Sequence, residues 1–176
     1  DLHYRRKERQ REAMTNMSTV GIIDLGTGNI RSVAQAVRHL GSIPVVIGKP
    51  EEVDSHRVLI LPGVGSFGAA SAALKRSGFS EAIVAYVAKG RPLLGICLGM
   101  QLLASEGEEG GHSPGLGLIP GVVRKFPEGV RVPHVEWNQV FPRSDARLFR
   151  GIASGEHFYF VHSYCLWPAD PSCVTA

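Results

Sequence analysis

Four short, mainly apolar runs in this chain lead into glycine-containing turns: Val20-Gly21-Ile22-Ile23-Asp24-Leu25, Ile43-Pro44-Val45-Val46-Ile47, Val58-Leu59-Ile60-Leu61 and Leu93-Leu94-Gly95-Ile96. Strands without polar alternation belong to sheets covered on both faces, and helical crossovers are the usual cover. The segments between the runs have helical spacing. Ile30, Val33, Ala34, Val37 and Leu40 line one face of a helix, with Asn29 as its N-cap and Gly41 closing it. Residues 69–76 and 81–89 read as two further helices, the second capped by Ser80, and residues 98–103 as a helix entered directly from the fourth strand. The pattern predicts an α/β fold with a mostly parallel sheet flanked by helices.

After Ser105 the character changes. Residues 106–117 read as a polar, glycine-rich loop, and residues 122–126, 137–141 and 158–161 as short β pieces, giving antiparallel strands in the C-terminal third. A chain of 176 residues with 44% hydrophobic and 20% charged residues fits one globular domain. No apolar run approaches the roughly 18 residues of a membrane-spanning helix. Cys97, Cys165 and Cys173 are too few and too unevenly placed for a disulfide framework, so a reducing cytoplasmic location is expected.

Charge is concentrated at the start. Residues 1–16 carry five basic and three acidic side chains, whereas residues 17–176 carry 14 and 13. A nearly neutral body gives no electrostatic reason to propose nucleic acid as a partner. The head lacks the apolar core of a secretory signal. With Met14 and Met17 just ahead of the first strand, residues 1–16 are expected to be a non-native, disordered basic leader before a domain spanning 17–176.

In an open parallel sheet, ligands bind at the carboxyl ends of the strands. Three glycine-rich strand ends therefore compete for one site: residues 26–28, 62–65 and 97–99. The strongest is Gly95-Ile96-Cys97-Leu98-Gly99. A nucleophile between two glycines, at a strand-to-helix junction, is projected from a sharp turn above the sheet. A helix N-terminus there favours thiolate, and the N–H of Leu98 can donate to an oxyanion. The competing reading is a small buried core cysteine. Pro62-Gly63-Val64-Gly65 offers further backbone N–H groups as a nest, against the plainer reading of a turn. Gly26-Thr27-Gly28 fails as a dinucleotide fingerprint because Arg31 stands where its third glycine belongs. The seven histidines show no metal-ligand spacing, and no cofactor is expected. Pro133-His134-Val135-Glu136-Trp137-Asn138 reads first as a structural loop and second as a partner contact. His162 is the remaining candidate for a base beside the cysteine.

These segments occur in a distinctive order: Asp24-Leu25-Gly26-Thr27-Gly28-Asn29-Ile30-Arg31-Ser32-Val33, Pro62 to Gly68, Gly95 to Leu103, Pro133-His134 with Trp137-Asn138, and Tyr159-Phe160-Val161-His162-Ser163-Tyr164. In this the chain resembles the class I (triad) glutamine amidotransferases. Within them it is similar to the subunits that feed a (β/α)8-barrel cyclase in histidine biosynthesis. The resemblance implies that Cys97 attacks the glutamine side-chain amide. It implies an oxyanion site at Leu98, Gly63, Val64 and Gly65, with Gln101, Ser163 and Tyr164 holding the amino-acid end. His134, Trp137 and Asn138 would face the cyclase. Glu136 stands where the family carries glycine. The family's catalytic histidine and glutamate lie in an F-H-P-E segment that matches nothing in residues 17–176, and His162 belongs to a different segment. The expectation is an incomplete amidotransferase domain, inactive by itself. The alternatives are a catalytically silent subunit that docks on the cyclase, or a peptidase-like cysteine hydrolase. In the latter a histidine follows the nucleophile, and Leu98 does so here.

Overall fold

A computed structural model describes residues 18–176. The expected leader at 1–16 lies outside the described residues. They form two compact units: residues 18–65 with 72–100, and residues 66–71 with 101–176.

The first unit is built on four strands: β1 (Thr19–Ile23), β2 (Ile43–Ile47), β3 (Leu59–Gly63) and β4 (Leu93–Cys97). They lie in the order β2-β1-β3-β4, every pair parallel. Helix α1 (Ile30–His39) starts at Asn29, whose side chain accepts the Ser32 N–H at 3.2 Å. It packs Ala34 and Val37 on Ile22 and Ile60 at the centre of one face. The other face carries Ile23, Ile47, Leu59 and Leu61, all fully buried. Helices α2 (Phe67–Ser77) and α3 (Phe79–Ala88) follow β3, and Phe79, Ile83 and Tyr86 of α3 are also buried.

Two expectations for this unit are corrected. The cap before α3 is Gly78 in the left-handed region (φ 77°), not Ser80, because α2 and α3 are separated by a single glycine turn. The sheet is not covered across both faces. On the α1 side the row Val46–Ile22–Ile60–Leu94 runs across the strands, and Val46 and Leu94 at its ends are 50% and 36% exposed, with Ile96 beside Leu94. One helix about 10 Å wide covers roughly two strands spaced about 4.8 Å apart, not four.

The predicted helix 98–103 shrinks to α4 (Leu98–Gln101), and the chain then enters β5 (Ala104–Gly107). The carbonyls of Leu102, Leu103 and Ala104 accept from Leu116, Ile119 and Gly117 at 2.8–2.9 Å, so the helical ladder is replaced by sheet-like bonding. The polar loop expected at 106–117 thus contributes the end of β5 and a short β6 (Ser113–Pro114). With β7 (Ile119–Lys125) and β10 (Tyr164–Pro168) they form a sheet ordered β10-β7-β5-β6. Here β5 and β7 are parallel, and the two outer pairs antiparallel. The remaining hairpin pairs β8 (His134–Val140) with β9 (Glu156–His162), setting His134 opposite His162 and Trp137 opposite Tyr159. The segment read first as a structural loop is therefore a strand.

Candidate active site

In the first unit the three glycine-rich strand ends converge. A Cβ built on Gly28 would lie 3.8 Å from the Pro62 carbonyl, and one on Gly63 would lie 3.0 Å from the Gly99 nitrogen. Register places Gly63 directly opposite Cys97. This brings the 62–65 segment alongside the cysteine, with Gly65 also at positive φ (100°).

Cys97 is exposed and has φ 54°, the one non-glycine residue at positive φ among the described residues. A side chain in that region costs on the order of 1–3 kcal/mol. Surrounding contacts hold it there. A Cβ on Gly95 would come 2.5 Å from Met100 Cα, and one on Gly99 would come 1.7 Å from the Leu61 carbonyl oxygen. The turn between β4 and α4 can be this tight only because both flanking residues lack side chains. Leu98 follows with its side chain buried, which anchors the turn. Its N–H is the first of the helix, a position with no intrahelical acceptor. Because α4 is a single turn, what the elbow supplies is exposure, direction and free N–H groups rather than the field of a long helix.

The other two cysteines differ. Burial pushes the Cys165 thiol above its ordinary range, with a hydrogen bond from Trp167 opposing the shift, while Cys173 is exposed.

In the second unit Gln101 is nearly buried, and its Nε2 donates to the Tyr164 carbonyl at 2.9 Å. Ser163 and Tyr164 are half-buried. The Tyr164 carbonyl also accepts from His162 Nδ1 at 2.9 Å. His162 Nε2 faces His134 Nδ1 at 3.2 Å, and His134 Nε2 faces Asn138 Nδ2 at 2.8 Å. Phe126 lies against His162 with ring centres 5.0 Å apart, and Phe160 lies 5.8 Å from His134. Both nitrogens of His162 are thus engaged inside this unit. Sequence reasoning missed this chain, although pairing the P-H-V-E-W-N run with the F-V-H-S-Y run as a hairpin would have set the two histidines opposite each other.

The expected partner-facing trio divides between two faces of that hairpin. His134 and Asn138 point into the histidine chain. Trp137 is on the opposite face, 66% exposed, its ring 5.6 Å from that of Tyr159, with Val135 and Val161 beside them, also exposed. Among the described residues no three His, Cys, Asp or Glu side chains gather as a metal site, and no helix is long and apolar enough to cross a membrane.

Comparison with known proteins gives the same outline. Residues 21–176 match the family described as glutamine amidotransferase class-I. The imidazole glycerol phosphate synthase subunit HisH of Moorella thermoacetica is 50% identical over 160 residues, covering 90% of this chain and 76% of the relative. The protein of the same name from Chlorobaculum tepidum is 46% identical over 158 residues, covering 89% and 79%. Among solved structures, a glutamine amidotransferase superposes with a TM-score of 0.67 at 23% identity, over 86% of this chain and 75% of that one. PurLQS from Thermotoga maritima also reaches 0.67, at 18% identity over 88% and 71%.

Proposed function

Because the chain belongs to the class-I glutamine amidotransferase family, we propose that it is the glutaminase subunit of an imidazole glycerol phosphate synthase, with Cys97 as its nucleophile. The observation that carries the assignment of the residue is the left-handed backbone of the exposed Cys97 between two glycines that tolerate no Cβ. Strain of that kind is retained where it aims a reacting group.

On this reading Cys97 works by covalent catalysis. The Cys97 thiolate forms a bond to the side-chain amide carbon of glutamine, and the carbonyl oxygen becomes an oxyanion. The Leu98 N–H stabilises it together with N–H groups of Gly63, Val64 and Gly65, at the strand end opposite the cysteine in register. Collapse breaks the C–N bond, the nitrogen takes from solvent a proton equivalent to the one the Cys97 thiol gave up, and ammonia leaves. Water then cleaves the glutamyl thioester, releasing glutamate and restoring the thiol. Gln101, Ser163 and Tyr164 hold the amino and carboxylate end of the substrate. No cofactor is required.

Ammonia released into neutral water is protonated and loses its nucleophilicity, so the product must pass directly to a second subunit. That subunit is the (β/α)8-barrel cyclase of the synthase, and the exposed Trp137–Tyr159 face supports docking on this hairpin. Aromatic anchors of this kind dominate the energetics of protein interfaces. The test is ammonia release from glutamine with the cyclase present. Cys97→Ser lowers it by at least ~10³-fold, as expected for loss of a covalent nucleophile. Turnover at the unsubstituted rate would sink the assignment.

A further inference from the structure

The hydrogen-bond partners set the tautomers along the histidine chain. The Tyr164 carbonyl can only accept, so His162 Nδ1 carries a proton. With His162 neutral, Nε2 is then an acceptor, and His134 Nδ1 must donate to it at 3.2 Å. That leaves His134 Nε2 to accept from the Asn138 amide at 2.8 Å. Donation therefore runs one way, from Asn138 through His134 and His162 to the Tyr164 carbonyl. The same oxygen takes a second N–H from Gln101.

A carbonyl held by two side-chain donors fixes the backbone on either side of it. We propose that His162, oriented by His134, is a positioning residue that sets the Ser163–Tyr164 segment to receive the amino-acid end of glutamine. This rests on the glutaminase reading above. The placement supports it. His162, Ser163 and Tyr164 are consecutive, at the point where β9 ends and β10 begins, with Ser163 alone between the strands. Its carbonyl accepts the Phe126 N–H at 3.2 Å, one backbone bond where a strand interior would have more, so the side-chain bonds to the Tyr164 carbonyl add to what orients the segment. The Phe126 and Phe160 rings pack on the two imidazoles, and shielding a hydrogen-bonded chain from water increases what each bond contributes. Asn138 completes the chain from β8, so the orientation of the segment depends on the hairpin register as well as on local sequence.

Two electrophiles separate positioning from simple structural support in this chain. The glutamine analogue 6-diazo-5-oxo-L-norleucine needs its amino-acid end recognised before it alkylates Cys97. Iodoacetamide has no such end. The measurement is the concentration of the analogue that half-saturates the rate of Cys97 labelling, beside the iodoacetamide rate at the same thiol, read by mass spectrometry. Four chains are compared: unsubstituted, His162→Leu, His162→Gln and His162→Asn. Asn puts an amide N–H near the place of Nδ1 and keeps the bond to Tyr164. Gln reaches toward the place of Nε2 and loses that bond.

The half-saturating concentration is expected to rise about three- to tenfold for His162→Leu and His162→Gln, the effect of one hydrogen bond. His162→Asn stays near the unsubstituted chain, and iodoacetamide rates are unchanged throughout. An unaltered half-saturation in His162→Leu overturns the proposal. So does a parallel fall of both electrophiles, which marks general disruption of the fold. Non-saturable labelling of unsubstituted Cys97 by the analogue would overturn the glutamine-site reading itself, and this proposal with it.

Discussion

A Cβ on Gly99 would lie 1.7 Å from the carbonyl oxygen of Leu61, closer than any repacking of side chains can relieve. Leu61 is a central strand residue, fully buried, and its carbonyl cannot retreat without disturbing β3. Gly99→Ala is therefore expected to destabilise the chain by about 3 kcal/mol or more, at the upper end of overpacking effects. Thermal or urea unfolding measures it. Gly65→Ala is the control: its Cβ meets nothing within 4 Å, so only its backbone preference at φ 100° is lost.

Thiol reactivity separates the three cysteines. Burial raises the Cys165 thiol, so less of it is thiolate at neutral pH. Iodoacetamide at pH 7.5 is expected to modify exposed Cys97 and Cys173 before Cys165. Between pH 7.5 and 8.5 the Cys165 rate should rise about tenfold, as for any thiol titrating well above the working pH. Peptide mapping reads the order, and early modification of Cys165 would contradict it.

Docking on the cyclase should depend on the outer face of the hairpin. Trp137→Ala is expected to weaken the complex by at least about tenfold, the effect of removing an aromatic hot spot. Leu40→Ala, more exposed still and just past the end of α1 in the other unit, should leave affinity within about twofold. Calorimetric titration of the two subunits decides between them.

Asp54 gives a pH-dependent contribution to stability. Its carboxylate accepts from Lys89, and its backbone carbonyl from Arg91 at 2.7 Å, tying the 3₁₀ turn Pro50–Ser55 to the end of α3. The Lys89 hydrogen bond, helped by the charges of Lys89 and Arg91, holds its carboxyl below the usual carboxylate range against the opposing effect of burial. A depressed folded-state value means the contribution is present above the ordinary carboxylate range and is lost as pH falls through the folded value. Asp54→Asn should lower Tm slightly at pH 7 and hardly at all at pH 2.5. The pair is exposed, so salt should shrink the difference.

Much of the first unit was legible in the residues. Ile43–Ile47 is a strand to the residue, and Asn29 caps α1 as its side chain and spacing indicate. What failed were decisions made by non-local bonding. Nothing in Leu98 to Ala104 announces that the carbonyls from Leu102 onward are claimed by residues 116–119, so the apolar run read as helix. Strand β10 was not anticipated: the last β piece read from the residues is 158–161, and β10 follows β9 after Ser163 alone, with no turn residues to announce a new strand.

The site divided in the same way. The elbow was legible because its glycines and cysteine are consecutive, and their steric reason is local. The histidine chain was hidden because His134 and His162 meet only once the hairpin register is set, 28 residues apart in the chain.

The left-handed backbone at Cys97 makes stability and chemistry compete at one position. Glycine adopts φ 54° without penalty, so Cys97→Gly should be more stable than the unsubstituted chain by up to about 1 kcal/mol after glycine's greater loss of chain entropy, read as a higher Tm. The sturdiest form of this elbow is thus one with nothing to attack glutamine. A screen for heat resistance alone would select against the nucleophile, and only a screen that also demands ammonia would keep it.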